Sequence, residues 1–287
     1  MGTGILLSVT ASIIHATADA GRKGLTQRLS SLDALCGFVL FGLPMIALWW
    51  AATGFDGMPK PGFTLYALMS VVPNLFANFL FFEAVRVSPL SLTLPFLSFT
   101  PAFLVGTSYL INKELPSYLG ACGIILILCG AFLLNVREFR KGAMGPVRAV
   151  LRERGSLIML IVATMWSISA AADKAAVLRS GPVSFFFFWH VGMSIPLLVV
   201  LVARRRTRIM FSAVIPASST AALHVLGGVT QLAAMTLIQA SYVIAIKRAG
   251  MLLGILYGRL FFGETRLGQR MLGAAVMLLG VFCITLG

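Results

Sequence analysis

Residues 114–130 read ELPSYLGACGIILILCG, and residues 264–280 read ETRLGQRMLGAAVMLLG. Both stretches run Glu, eight residues, Gly, six residues, Gly, so Glu114, Gly123 and Gly130 fall on Glu264, Gly273 and Gly280 at one offset of 150, without a gap. The same offset places Asn74 on His224 and Ala84 on Ala234, and an offset of 154 places Asp19 on Asp173. Glycines seven apart lie on nearly one face of a helix, so each pair offers a flat stripe where a second helix can approach closely. The chain is therefore a duplication, and the question becomes what kind of unit is duplicated.

Working outward from these stretches, the chain is 59% hydrophobic and only 11% charged, with a mean hydropathy of +0.94. That is about half the charge of a soluble domain. The apolar residues come in runs long enough, at 1.5 Å per residue, to cross a ~30 Å hydrocarbon core. Gly, Pro and charge breaks place ten spans near 3–20, 32–52, 63–85, 89–111, 116–136, 156–176, 183–203, 212–235, 240–262 and 267–286. Two joints are soft: Arg86-Val87-Ser88-Pro89 between spans 3 and 4, and Gln239-Ala240-Ser241 between spans 8 and 9. The longest polar stretch runs from Arg137 to Gly155, which divides the chain into a first repeat (1–136), a basic linker (137–155) and a second repeat (156–287). The expected fold class is all-α: a polytopic membrane protein of ten helices in two five-helix repeats. Because each repeat holds an odd number of spans, similar halves must cross the membrane in opposite senses. Inverted repeats with no soluble domain are the sequence sign of an alternating-access transporter.

The net charge is +14. In a soluble protein that would suggest nucleic acid; here the cations lie mainly between apolar runs, which is a topology signal. The loops after the odd-numbered spans hold 16 Lys and Arg, and the opposite face holds 4, namely Lys60, Lys113, Lys174 and Arg179. By the positive-inside rule the Arg137–Arg154 and Arg204-Arg205-Arg206 segments are cytoplasmic and both termini are outside. Cys36, Cys122, Cys129 and Cys283 all fall in apolar segments with no CxxC pair, so they read as packing residues. The opening Met1-Gly2-Thr3-Gly4-Ile5-Leu6 lacks a basic n-region, and the first run is expected to be a retained span.

The duplicated halves, the Glu-x8-Gly-x6-Gly signature at Glu114 and Glu264, Pro95 and Pro101 in span 4, and the segment from Ser241 through Phe262 to Glu264 resemble the drug/metabolite transporter superfamily, in its ten-helix EamA branch. The resemblance covers the whole chain. It implies a central cavity between spans 1, 3, 4 and 6, 8, 9, with spans 5 and 10 to the side, moving small organic solutes, frequently outward. Span 1 departs from the family: it has Ser12-Ile13-Ile14-His15 where members usually carry a Trp, whereas span 6 keeps Trp166. Many members are drawn with cytoplasmic termini, and the charge count here says the reverse.

Polar side chains in hydrocarbon are costly unless they face protein or a watery cavity, so polar residues sharing a helix face mark the interior. Span 1 carries Ser8, Ser12, His15 and Asp19 on one stripe, and span 6 repeats it as Trp166, Ser169 and Asp173. Span 3 presents Asn74 and Asn78, and span 8 presents His224 and Gln231. The competing readings are interhelical hydrogen bonds for Asn74, Asn78 and Gln231, satisfied interior histidines for His15 and His224, and a surface pair of Asp19 with Lys23. Glu83, beside Arg86, reads as a boundary residue, Phe185–Phe188 as packing or lipid-facing, and Glu114 and Glu264 as carboxylates at helix entrances. Lys247 is the most informative residue: it lies about 10 Å into span 9 on the face of Gly254 and Gly258, and so points inward.

The expected solute-binding residues are His15, Asn74, Asn78, Trp166, His224, Gln231, Tyr242 and Lys247, with Asp19 and Asp173 as gate contacts or carriers of a coupled proton. Lys247 favours a solute bearing a carboxylate, as in an amino acid or a similar zwitterion. No phosphate-binding loop, nucleophile–base pair or metal cluster is present in the sequence, so no catalytic residue, metal or cofactor is expected and ATP-driven pumping by this chain alone is unsupported. The expected partners are the small solute, the lipid bilayer and a coupled proton, with no nucleic acid; the sequence is compatible with a monomer and does not fix the oligomeric state. The expected location is the plasma membrane, as the inner membrane of a bacterium. An intramembrane lipid-modifying enzyme and a non-transporting scaffold are the alternatives.

Overall fold

The structure is a computed structural model that describes residues 1–27, 29–55, 57–88, 96–133, 154–203, 214–250, 253 and 268–286. The helices are α1 (Gly2–Thr26), α2 (Ser31–Leu40), α3 (Gly42–Ala52), α4 (Phe63–Val87), α5 (Thr100–Asn112), α6 (Tyr118–Leu133), α7 (Arg154–Ser180), α8 (Pro182–Ala203), α9 (Val214–Leu237), α10 (Ala240–Ala249) and α11 (Gly268–Leu286). Among the described residues there is no strand. Helices α2 and α3 are one span broken at Phe41, where Pro44 has no N–H to give the Leu40 carbonyl. The remaining helices take the other nine expected spans in chain order. Six spans are long and apolar enough to cross a membrane within the described residues. Most of the linker, together with Pro95, Arg204–Arg206, Gly254, Gly258 and Glu264, lies outside the described residues.

The surface is apolar and the interior carries the polar groups, the reverse of a soluble bundle. On α4, Leu65, Leu68, Val72, Phe76 and Phe79 form an exposed stripe at three- and four-residue steps, while Ser70, Asn74, Ala77, Asn78 and Phe81 are buried on the opposite side. Helix α1 buries Gly4, Ser8, Ala11, Ser12, His15, Ala18, Arg22 and Leu25, again one helical face. Between α7 and α8 the chain reverses through Gly181 at φ +78°, and Pro182 opens the next helix with its ring in place of an N–H that would have no partner there.

Three long antiparallel pairs build the bundle. Helix α1 lies along α9, with Gly4 against Leu237 and Ile238, His15 against Gly227, and Gly21 against Thr220. Helix α4 lies along α7, where Ser70 meets Asp173 and Asn74 meets Ser169. The first span of each half thus packs on the third span of the other half, as an inverted two-fold relation requires. Helices α6 and α11 form the third pair: a Cβ on Gly123 would stand 2.6 Å from the Gly280 carbonyl, and one on Gly130 2.6 Å from the Gly273 carbonyl. The duplicated glycines of the first and second halves therefore face one another, and only glycine permits that approach.

Two cations counted as loop charges are buried within helices. Arg22 is buried in α1, and Lys174 is buried in α7, where Nζ pairs with Glu114 at 2.5 Å and donates to the Ile238 carbonyl at 2.8 Å. One fewer on each face leaves 15 against 3, so the asymmetry is preserved. Glu114 also accepts from Ser108 at 3.3 Å, Asn112 donates to the Ala171 carbonyl at 2.9 Å, and Gln239 donates to the Leu115 carbonyl at 2.9 Å. These contacts tie the α5–α6 turn to α7 and to the α9–α10 joint at one end of the bundle.

Candidate functional site

The polar faces of α1, α4, α7, α9 and α10 converge on one cavity of about 100 Å³. His15, Asp19, Asn74, Asn78, Trp166, Asp173, His224, Gln231 and Lys247 line it, so nine of the ten residues expected from sequence come together here. Tyr242 is the correction. Its buried hydroxyl accepts from the Ser117 N–H at 2.9 Å and lies 3.3 Å from the Ser117 hydroxyl, so it pins α10 to the start of α6 instead of facing a solute. Ring size and a hydroxyl made it resemble a lining residue; the partner that claims it lies 125 positions away in the chain.

Helix α4 supplies its amides one turn apart. Asn74 donates to the Ser169 hydroxyl, Asn78 donates to the Asn74 carbonyl at 2.9 Å, and Ser70 donates to the Asp173 carboxylate. Interhelical bonding and cavity lining are therefore joint roles of one face. Trp166 lies 5.5 Å from the Phe81 ring and beneath the Arg248 guanidinium at 5.8 Å, so the second-half tryptophan forms part of an aromatic wall. Phe185 and Phe186 are buried packing residues that also border the cavity, and Phe187 and Phe188 pack against Trp50.

The charged groups come from α1, α7 and α10. Lys247 Nζ donates to Gln231 Oε1 at 2.8 Å, and among the described residues it forms no ion pair. Its charged neighbours are Arg248, Asp19, Arg22 and Asp173. Ser12 donates to the Lys247 carbonyl at 3.1 Å, which fixes the last turn of α10 against α1. Asp19 pairs with Arg22 at 3.4 Å, one turn away on its own helix. Glu83 behaves as expected at the boundary, holding Arg86 at 2.7 Å and accepting from Ser31 at 3.1 Å.

Arg22, Thr100 and Arg248 also line the cavity and were not among the site residues expected from sequence, which left the direction of Arg248 open. Arg22 has its guanidinium 4.1 Å over the Phe38 ring and Nη2 3.4 Å from His224 Nδ1. Arg248 donates to the Thr100 hydroxyl at 3.1 Å, and both line the cavity with Thr100. A signal for Arg22 existed: it stands seven residues after His15, on the same helical face. His15 and His224 approach edge to face at 6.1 Å, and among the described residues the buried Nε2 of each has no hydrogen-bond partner. Among the described residues no cluster of His, Cys, Asp and Glu could hold a metal ion.

A solved crystal structure superposes with a TM-score of 0.69 over 99% of this chain and 97% of its own, at 14% identity, which shows a shared fold. No curated protein matches the chain. The EamA-like transporter family matches twice, over residues 2–136 and 153–286. With both halves matched on a bundle whose polar faces enclose a cavity, the chain belongs to the EamA-like transporter family and is a multi-pass membrane transporter of that family.

Proposed function

We propose that this transporter moves a small zwitterionic or anionic organic solute, of the amino acid type, outward across the plasma membrane of a bacterium by alternating access. The observation that carries the reading is Lys247: an ammonium inside the bundle, hydrogen-bonded to the neutral Gln231 and unpaired with Asp173, whose carboxylate takes the Ser70 hydroxyl instead. An intramembrane cation without a counter-ion is costly, and a solute carboxylate relieves that cost when bound. Asn74, Asn78 and Gln231 supply neutral hydrogen bonds, Trp166 an apolar face, and Asp173 a site for the solute amine. Asp19 and Asp173 are the groups able to carry a coupled proton. Antiparallel exchange of partners between the halves supports alternating access, since each half can rock against the other around a fixed site.

The test compares Lys247→Ala and Lys247→Arg in liposomes containing only the purified protein. Loss of the solute carboxylate's partner raises KM roughly ten- to a hundred-fold in the alanine variant, and arginine restores part of the affinity. Unchanged affinity in Lys247→Ala, or transport of cations alone, overturns the reading.

A further inference from the structure

The cavity lining holds more cationic donors than it has acceptors for them. Arg22, Lys247 and Arg248 face two carboxylates, Asp19 and Asp173, which leaves a formal charge of +1 (three minus two). Arg22 is 5% exposed and Arg248 8%, yet among the described residues Nε of each is buried without a hydrogen-bond partner, as is Nε2 of both His15 and His224. Lys247 spends one of its three hydrogens on Gln231. Among the described residues the one ion pair in this lining, Arg22 with Asp19, is long at 3.4 Å, and Asp19 is partly exposed. Buried donors left unmade cost free energy. Three cations retained together therefore point to an acceptor-rich ligand.

The donors fall into two groups on different helices. Lys247 and Arg248 sit on α10 with Gln231 and Thr100 as neighbours, whereas Arg22 sits on α1 beside His224. We propose that Arg22 is a second acid-binding subsite and that the solute is an acidic amino acid with two carboxylates and one amine. This rests on the reading of Lys247 above. One carboxylate lies at Lys247 and Arg248, the other at Arg22, and the amine at Asp173. The solute's net charge of −1 then neutralises the lining.

The test uses the full-length protein in liposomes with L-aspartate and L-asparagine, which differ by one acid group against an amide. The wild-type protein takes aspartate with roughly ten-fold or greater preference. Arg22→Gln lowers aspartate affinity at least roughly ten-fold more than asparagine affinity, so the preference collapses, and Arg22→Lys restores part of it. Equal wild-type affinities, or a Gln variant that weakens both solutes in the same proportion, overturn the proposal. If Arg22→Gln does not fold, the wild-type pair and Arg22→Lys decide: no aspartate preference in either overturns it. Transport of asparagine without aspartate sinks this inference alone, whereas absence of flux for every carboxylate-bearing solute sinks the Lys247 reading with it.

Discussion

Lys247 ties the chemistry of the cavity to a measurable affinity. A ligand present at about a hundred times its Kd stabilises the folded protein by about 2.7 kcal/mol. That stabilisation, read as a rise in melting temperature with a transported solute, is expected to fall to about 0.4–1.4 kcal/mol in Lys247→Ala at the same solute concentration, and an equal rise in both proteins would contradict the assignment. Asp19 and Asp173 line the same cavity, so substituting Asn at both is expected to abolish the pH dependence of transport. Retention of full flux with its pH profile removes both as proton carriers. Residue by residue, the interior of α1, α4, α7 and α9 was legible because polar side chains recur at helical steps within apolar runs. Arg22 was not, since a cation near a span end satisfies the loop pattern equally well, and the ring faces of Phe38 and Phe81, with Asp19 and His224, hold its stem and charge inside. Tyr242 failed for the opposite reason: its hydroxyl is claimed by Ser117, a long-range contact that no periodicity encodes.

Among the elements, the α6–α11 pair makes the clearest energetic statement. A side chain at Gly123 meets the Gly280 carbonyl at 2.6 Å and the Ile284 side chain at 2.7 Å, and backbone cannot yield as a flexible side chain does. Gly123→Leu is therefore expected to destabilise the protein by about 1–3 kcal/mol through overpacking, measured as earlier thermal unfolding in detergent; wild-type melting would contradict the packing. The pair was readable as a contact because the glycines recur at a fixed offset in both halves. At the other end of α5, Lys174 joins Glu114 to the Ile238 carbonyl and so closes one end of the bundle across three elements. Glu114→Gln removes the carboxylate charge that pairs with the buried ammonium, and the expected result is faster thiol labelling of a cysteine placed in the cavity from that side. Unaltered labelling would show that the contact does not limit opening. The break of the second span at Phe41 was present in the sequence as Pro44, but a proline inside a long apolar run does not by itself say whether the helix bends or ends.

At the scale of the molecule, duplication and inversion follow from the same counting: an odd number of spans in each half forces opposite senses, and the exchanged pairs α1–α9 and α4–α7 realise it. The charge asymmetry predicts both termini outside. A single cysteine in the 204–208 loop, in a chain lacking the four native cysteines, is expected to resist labelling from outside intact cells, and labelling there would reverse the orientation. Neither the offsets nor the charge count specify the solute, because specificity comes from side chains that meet across helices far apart in the chain. The most direct measurement of the account is flux into liposomes that contain this protein alone, with amino acids and organic acids set against cationic amines. Saturable movement of a carboxylate-bearing solute, with the lipids chemically unchanged, is the predicted result; movement of the amines alone, or no movement of any carboxylate-bearing solute, would contradict it.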